Sequence, residues 1–268
     1  MKSRLWSREE FMLAMNLYTK IRYGQFNASN KDVQNLATLI DRTPGSVSYK
    51  LVHFASLDPY HIGRIKGLGN PGKPAIKIYN EFQENWNEML FESEELLAKY
   101  QNKSVQEVSL DKDEIKQINL DFLLGKEGTD IKRLVKTRVN QALFRKIIIS
   151  NYSNTCAICG LDIETLMVAS HILKWSENQP ERLNPENGIC FCNIHDKAFE
   201  IGYLGIKYLD NKEKEYKVMV SKELGHSKEK DTIKALFKRH ENQSLILPDK
   251  FHPNPSFLEQ HYDKTFKK

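Results

Sequence analysis

The sequence lacks any long apolar run: no stretch approaches the about 18 consecutive apolar residues that a membrane-spanning helix needs. Its first residues, MKSRLWSREEFML, include charged side chains where a secretory signal would be apolar. Internal repeats and low-complexity tracts are also missing, which excludes solenoid and compositionally biased architectures. We therefore expect a cytoplasmic protein without a membrane partner.

Cysteine is scarce, and its four copies all fall in one segment, between residues 156 and 192. Because cytoplasmic thiols normally stay reduced, this clustering favours a metal site over disulfides. A content of 40% hydrophobic and 28% charged residues is typical of a globular protein. The net charge of +5 is compatible with a nucleic-acid partner, but it is equally compatible with ordinary variation among proteins.

Three helices are predicted near the amino terminus. Ser7 and Glu10 have the spacing of a capping box, and apolar residues recur after them at helical intervals. Thr43 and Pro44 are typical of the residue that caps a helix and of its first position. The predicted helices span about residues 8–24, 32–40 and 44–56.

The second and third of these helices are separated by a short turn, which is typical of a helix-turn-helix unit. In such a unit the second helix enters the major groove of DNA, and a lysine on it commonly contacts phosphate. The alternative is a three-helix bundle with a structural or protein-docking role. The candidate DNA-contacting residues on the outward face are Arg42, Ser46, Tyr49 and Lys50.

The middle of the chain carries weaker signals. Glycine and proline predict a loop at 58–73, an amphipathic pattern predicts one long helix at 74–100, and mixed charges predict an irregular connector at 101–132. Helical periodicity returns at 138–152. The predicted domains are a helical head at 1–100, the connector at 101–132 and a second domain at 133–268.

The segment after the first cysteine presents His171, Asn187 and His195 in that order. β-Propensity predicts a strand at 166–172 that carries His171 near its end. A long loop leads to a second strand at 189–192, and a short helix begins at His195.

The sequence SHILKW…ERLNPENG…HDKAFEIG resembles the HNH endonuclease motif, and in particular that of a bacterial restriction-endonuclease subgroup. The segments RVNQALFRKIIISNY, LPDKFHPNPSFLEQHYDKTF and RTPGSVSYKLVHFASLDP are similar, more loosely, to the frame and head of that subgroup. The resemblance implies an α+β fold: an N-terminal helical, helix-turn-helix-like domain followed by a C-terminal ββα-metal HNH nuclease domain.

The same resemblance implies three catalytic roles. His171 would be the general base that deprotonates water, since a near-neutral pKa suits histidine to this work. Asn187 would hold that base in orientation, and His195 would bind a divalent metal, Mg²⁺ or Mn²⁺. The metal would polarise the scissile phosphate and stabilise the leaving oxygen.

One position departs from the family pattern. Many members have Asp or His directly before the general base as a second metal ligand, whereas this chain has Ser170. A hydroxyl is a weak ligand, so the metal would recruit Asp196, Glu200 or more water.

Many HNH proteins also hold a structural zinc between two CxxC pairs that flank the motif. Cys156 and Cys159 match the first pair, but Ile194 stands where the last cysteine is expected. Cys190 and Cys192 would then complete a four-thiolate Zn²⁺ site, because residues two apart on a strand point the same way. The alternative is that this second pair serves only as small buried residues.

The leading hypothesis is a metal-dependent endonuclease that cuts double-stranded DNA in restriction or phage defence. A homodimer is expected because duplex DNA presents two antiparallel strands. The first alternative is a DNA-binding regulator with an inactive, zinc-stabilised HNH fold. The second is a non-specific nuclease, such as a toxin or a mobile-element enzyme.

Overall fold

The computed structural model describes residues 4–60, 70–123, 129–210 and 214–268. The chain divides into two compact units, Met1–Ile147 and Ile148–Lys268. Within the described residues the helices are α1 Arg8–Lys20, α2 Lys31–Leu39, α3 Pro44–Leu57, α4 Lys73–Glu84, α5 Trp86–Tyr100, α6 Val105–Ser109, α7 Lys112–Leu123, α8 Thr129–Asn151, α9 Asn193–Glu200, α10 Lys230–Leu236 and α11 Pro255–Lys264. The strands are β1 Met167–His171, β2 Gly188–Cys192, β3 Leu204–Leu209 and β4 Glu215–Val220.

The first three helices begin where local chemistry predicts them. The Ser7 hydroxyl accepts from the Glu10 amide while the Glu10 carboxylate accepts from the Ser7 amide, so the predicted capping box is present. The Thr43 side chain caps α3. Asp41, in the connection from α2 to α3, adopts a φ of 53°, a left-handed conformation that Asp tolerates better than most residues. The helices pack around buried aromatic side chains, including Tyr18 and Phe54.

Two expectations for the middle of the chain are wrong. The predicted single helix at 74–100 is two helices, because Asn85 leaves helical geometry (φ −150°, ψ 75°) and its side chain caps α5. Within the predicted irregular connector, α6 and α7 are regular helices, and Leu110 joins a small core with Val139 and Leu143. The predicted loop at 58–73 lies largely outside the described residues, as do Gly125 and Gly128 of the connector.

The second unit contains two antiparallel hairpins. Strands β1 and β2 pair with His171 opposite Gly188 and Met167 opposite Cys192, and α9 follows β2 directly. This confirms the predicted order of strand, loop, strand and helix. Strands β3 and β4 form a separate two-stranded sheet, against which α11 packs.

Two glycines allow the carboxy-terminal segment to approach β3. Gly202 ends α9 with a φ of 83°, and a Cβ atom there would overlap the Thr265 carbonyl. A Cβ on Gly205 would lie 2.8 Å from the Phe266 ring. The neighbour of Gly202 is backbone and that of Gly205 is an aromatic ring, and a larger residue at either position would displace it.

Gly202→Ala is therefore expected to destabilise the protein by about 2 kcal/mol or more, because it combines a left-handed φ with a steric overlap. Thermal or denaturant unfolding measures the loss. Gly225→Ala is the matched control, since nothing lies within 4 Å of the position its Cβ would occupy. Equal stability of the two variants would contradict this account of how the terminus docks.

Among the helices of the described residues, none is both long and apolar enough to cross a lipid bilayer.

Candidate metal centre and nuclease site

A cluster of three cysteines and one histidine lies at the base of the first hairpin. The ligand atoms of Cys156, Cys159, Cys192 and His195 all lie within 4.8 Å of one another. Cys156 and Cys159 come from the turn that precedes β1, Cys192 ends β2 and His195 lies in the first turn of α9. Three of the four residues are buried, and Cys159 is exposed.

Both ring nitrogens of His195 are engaged. Nδ1 lies 3.4 Å from Cys156 Sγ and 3.3 Å from Cys192 Sγ. Nε2 lies 2.9 Å from the Leu236 carbonyl oxygen, which can only accept, so Nε2 carries the proton. Nδ1 therefore faces the two sulfurs, and it would offer its lone pair to a metal that displaces the proton shared there. The backbone carbonyl fixes the ring as an outer partner does for a metal-bound histidine.

The protonation of these groups is strongly linked. Burial alone would lower the pKa of His195, yet hydrogen bonds to the Cys156 and Cys192 sulfurs raise it to about 10. Hydrogen bonds from Cys156 and Cys159 hold the pKa of Cys192 far below its usual range. The three cysteines and His195 thus form a cluster in which an imidazolium faces a thiolate. A divalent cation can replace the protons that these groups share.

The donor set fits zinc. Tetrahedral zinc with bonds of about 2.3 Å to sulfur and about 2.0–2.1 Å to nitrogen separates S from N by about 3.6 Å, close to the two distances observed. Zinc held by four protein ligands keeps no open position for water, so its role would be structural.

The cluster differs from the predicted four-cysteine set at one position. Cys190 is fully buried and its sulfur is not part of the cluster, because Cys190 pairs with Ala169 in the interior of the hairpin. His195 takes its place in the cluster, with Nδ1 toward the sulfurs and Nε2 toward the Leu236 carbonyl.

His171 lies at the end of β1, and its contacts described here are with residues outside the cysteine cluster. Its Nε2 lies 3.0 Å from the Arg182 carbonyl oxygen, so Nε2 is the protonated nitrogen and Nδ1 carries the lone pair. The Trp175 ring stands edge-on to the imidazole at 5.4 Å between centroids. Burial lowers the pKa of His171 to about 4, so the ring is neutral at pH 7.

Arg182 braces the loop that carries this carbonyl. Its Nε donates to the Trp175 carbonyl oxygen at 2.7 Å, and its guanidinium lies 5.0 Å from the centre of the Trp175 ring. The same loop thus supports the imidazole through a hydrogen bond and through an aromatic contact.

Asn187 ties the two ends of this loop together. Its side-chain oxygen accepts from the Leu173 amide at 2.8 Å, and its Nδ2 donates to the Glu181 carbonyl at 3.0 Å and the Leu173 carbonyl at 3.2 Å. The residue is fully buried. Its backbone carbonyl also accepts from the Ile172 amide at 2.9 Å, next to His171.

A carboxylate lies beside β1 at the position after His195. Burial raises the pKa of Asp196, a hydrogen bond from Ser170 opposes this, and the charge of Glu200 raises it further. Ser170 directly precedes His171 and is largely buried, whereas Glu200 lies one helical turn beyond Asp196 and is exposed. Two neighbouring carboxylates and a hydroxyl are oxygen donors of the kind that Mg²⁺ and Mn²⁺ prefer.

In the first unit, Arg42 serves the fold. Its guanidinium donates to both carboxylate oxygens of Glu10 at 2.8 and 3.0 Å, and to the carbonyls of Arg4 and Leu5 at 2.6 and 2.7 Å. The Arg42 side chain is only 8% exposed. These partners occupy the guanidinium, so the observed contacts of Arg42 are within the protein, and its contact with DNA stays a prediction.

The other three predicted DNA-contacting residues lie along α3. Tyr49 is 49% exposed, and Ser46 accepts from the Trp6 indole at 3.3 Å. The Lys50 ammonium lies 5.3 Å from the centre of the Phe11 ring and 5.6 Å from that of Trp6. Burial, with the nearby Arg42 charge, lowers the pKa of Lys50.

Residues 156–207 match the sequence model of a family described as HNH endonuclease. The matched segment contains the cysteine cluster, the β1–β2 hairpin, α9 and the first part of β3. The chain therefore carries an HNH endonuclease domain in its C-terminal part, within a mixed α+β structure. A search among curated proteins gives no match.

Proposed function

We propose that this protein is a metal-dependent endonuclease that hydrolyses phosphodiester bonds in double-stranded DNA. The observation that carries the proposal is a half-buried, neutral His171 held by a backbone carbonyl at the end of β1, within the segment that matches the HNH family. Beside it in sequence, Ser170 bonds to the carboxylate of Asp196.

The chain's own residues would divide the work as follows. His171 Nδ1 would take a proton from the attacking water, because Nε2 is committed to the Arg182 carbonyl. Asn187 would act as a positioning residue that fixes the loop behind His171. Asp196 and Ser170 would hold Mg²⁺ or Mn²⁺, with Glu200 as the neighbouring carboxylate. Such a cation, when bound, supplies charge stabilisation at the phosphate and the leaving oxygen.

The Cys156, Cys159, Cys192 and His195 cluster would hold a structural zinc. The sequence favours a zinc role for His195 and a catalytic-metal role for Asp196, because the two residues are consecutive at the start of α9. A zinc ion bound by His195 would fix this first turn of α9, and with it the carboxylate of Asp196.

For the head, we propose that α2 and α3 act as a helix-turn-helix with α3 facing DNA. The exposed Tyr49 and the Lys50 ammonium support the proposal, since among the described residues no carboxylate lies within ion-pair distance of Lys50. A lysine held over aromatic rings keeps its charge available for a phosphate.

Lys50→Ala is expected to weaken DNA binding uniformly across sequences and to reduce the slope of log K against log salt by about one phosphate. Fluorescence anisotropy over a salt series measures both effects. Lys77→Ala is the matched control, because Lys77 lies on α4 with its side chain 75% exposed and should leave the slope unchanged. An unchanged slope in Lys50→Ala would remove α3 from the proposed interface.

We propose a restriction or phage-defence role because the sequence resembles that subgroup of HNH proteins, and a homodimer because each strand of the duplex needs its own active site. Cleavage of methylated and unmethylated genomic DNA, followed by sequencing of the ends, tests it. A defined recognition sequence or a dependence on base modification supports the role. Random ends indicate the non-specific nuclease instead, and binding without cleavage indicates the DNA-binding regulator.

A further inference from the structure

The first unit contains a cavity of about 350 Å³, far in sequence from the cysteine cluster and His171. Helices α1, α2, α5 and α6 line it, together with Lys146 near the end of α8. Its volume lies in the range of small-molecule sites, about 300–1,000 Å³. The proposed cleavage chemistry uses none of its residues.

The floor of this cavity holds a buried ion pair. Lys20 and Glu94 form the pair, and their side chains are 7% and 1% exposed. Glu94 is well satisfied, since it also accepts from Asn16 Nδ2 at 2.8 Å and from Ser109 Oγ at 3.1 Å. Each of its oxygens therefore has a donor.

Lys20 is less well satisfied than its partner. An ammonium has three N–H donors, and among the described residues its one hydrogen-bond acceptor is Glu94. Burial lowers the pKa of Lys20 even though the Glu94 charge raises it, which reflects the cost of keeping this ammonium away from water. A buried charged donor that borders a cavity calls for a further acceptor inside it.

The rim carries charges of both signs, because Asp32 and Glu107 line the cavity together with two lysines. Lys103 and Lys146 line the cavity, and within the described residues neither lies within ion-pair distance of a carboxylate. Lys146 is close enough for its charge to act on Lys20. An acceptor between these lysines would be favoured if it were anionic.

The walls are apolar. Leucines from three helices face the cavity, and a ligand with a hydrocarbon or ring portion would displace water from them. These side chains are Leu13, Leu17, Leu36, Leu39 and Leu97.

We propose that this cavity, bordered by Lys20, Lys103 and Lys146, binds a small organic anion: a carboxylate or phosphate group carried on an apolar body. The anionic group accepts from the Lys20 ammonium and faces the two rim lysines. The apolar body lies against the leucine walls.

Isothermal titration of the full-length protein with hexanoate, hexyl phosphate and 1-hexanol tests the proposal, because the three probes share one apolar body. At least one anionic probe is expected to bind saturably and at least about tenfold more tightly than hexanol, as one charge-assisted hydrogen bond provides. Preference between the two anions distinguishes a carboxylate ligand from a phosphorylated one. Equal binding of hexanol, or no saturable binding of any probe, would overturn the proposal.

Variants locate the binding. Lys146→Ala should lower the affinity for the anionic probe several-fold and leave the fold intact, since Lys146 is exposed at the rim. Because Lys20→Met alone leaves Glu94 buried and unpaired, the double variant Lys20→Met/Glu94→Gln replaces the pair by neutral groups and should abolish the preference for an anion. Lys116→Ala, whose side chain is 76% exposed on α7, is the control. Undiminished affinity in both cavity variants would place the anion elsewhere and contradict the assignment.

Discussion

Replacing His171 with alanine is expected to lower the rate of DNA cleavage by about 10²–10⁴-fold, the usual contribution of a general base. The imidazole is neutral, and its Nε2 donates to the Arg182 carbonyl, so the lost atom is the Nδ1 acceptor for the proton of water. Single-turnover cleavage of a labelled duplex measures the rate. DNA affinity, measured by anisotropy, should be unchanged because the variant removes no phosphate-binding cation.

His226→Ala is the matched control, since His226 is an exposed histidine in the same unit. It should retain the wild-type rate. A His171→Ala variant that is folded, binds DNA and cleaves at the wild-type rate would remove His171 from the mechanism.

Cys192→Ser and His195→Ala are each expected to lose the structural zinc and, with it, the cooperative unfolding of the second unit. Binding of zinc to four-ligand sites is worth about 10–16 kcal/mol in small zinc-dependent domains, more than the whole stability of a typical domain. Metal content by mass spectrometry and unfolding with and without a chelator measure the two effects.

Cys190→Ala separates this cluster from the four-cysteine site that the sequence predicts. Cys190 is fully buried but lies outside the cluster, so the variant should keep one zinc per chain and lose only a modest packing contribution. If Cys190→Ala lost the metal while His195→Ala kept it, the four-cysteine site would be right and the cluster described above wrong.

The parts of the fold that follow from local chemistry could be predicted. Capping at Ser7 and Thr43 sets where α1 and α3 begin, and β-propensity with Gly202 sets the limits of the hairpin and α9. The break at Asn85 could not be predicted from periodicity, because the apolar pattern continues across it. Strands β3 and β4 were not predicted, although Tyr216, Val218 and Val220 alternate with less buried residues in the period-2 pattern of a strand.

The sequence contains a spacing that indicates His195 as a zinc ligand, although the predicted zinc site consisted of four cysteines. Cys192 and His195 repeat the two-residue interval of Cys156 and Cys159, and histidine is as ordinary a zinc ligand as cysteine. The partner that orients His195, the Leu236 carbonyl, lies 41 residues away and leaves no trace in the sequence. The same is true of Glu10, whose carboxylate accepts from Arg42 across 32 residues.

The most direct test of the central claim is cleavage of supercoiled plasmid by the zinc-loaded, full-length protein with Mg²⁺ or Mn²⁺ added or withheld, beside the variant Asp196→Asn. We predict nicked or linear products with the wild-type protein only when the cation is present, and a strong loss of cleavage in Asp196→Asn with the zinc content unchanged. Plasmid left intact by a folded, zinc-loaded wild-type protein with either cation, or full activity in Asp196→Asn, would contradict the account.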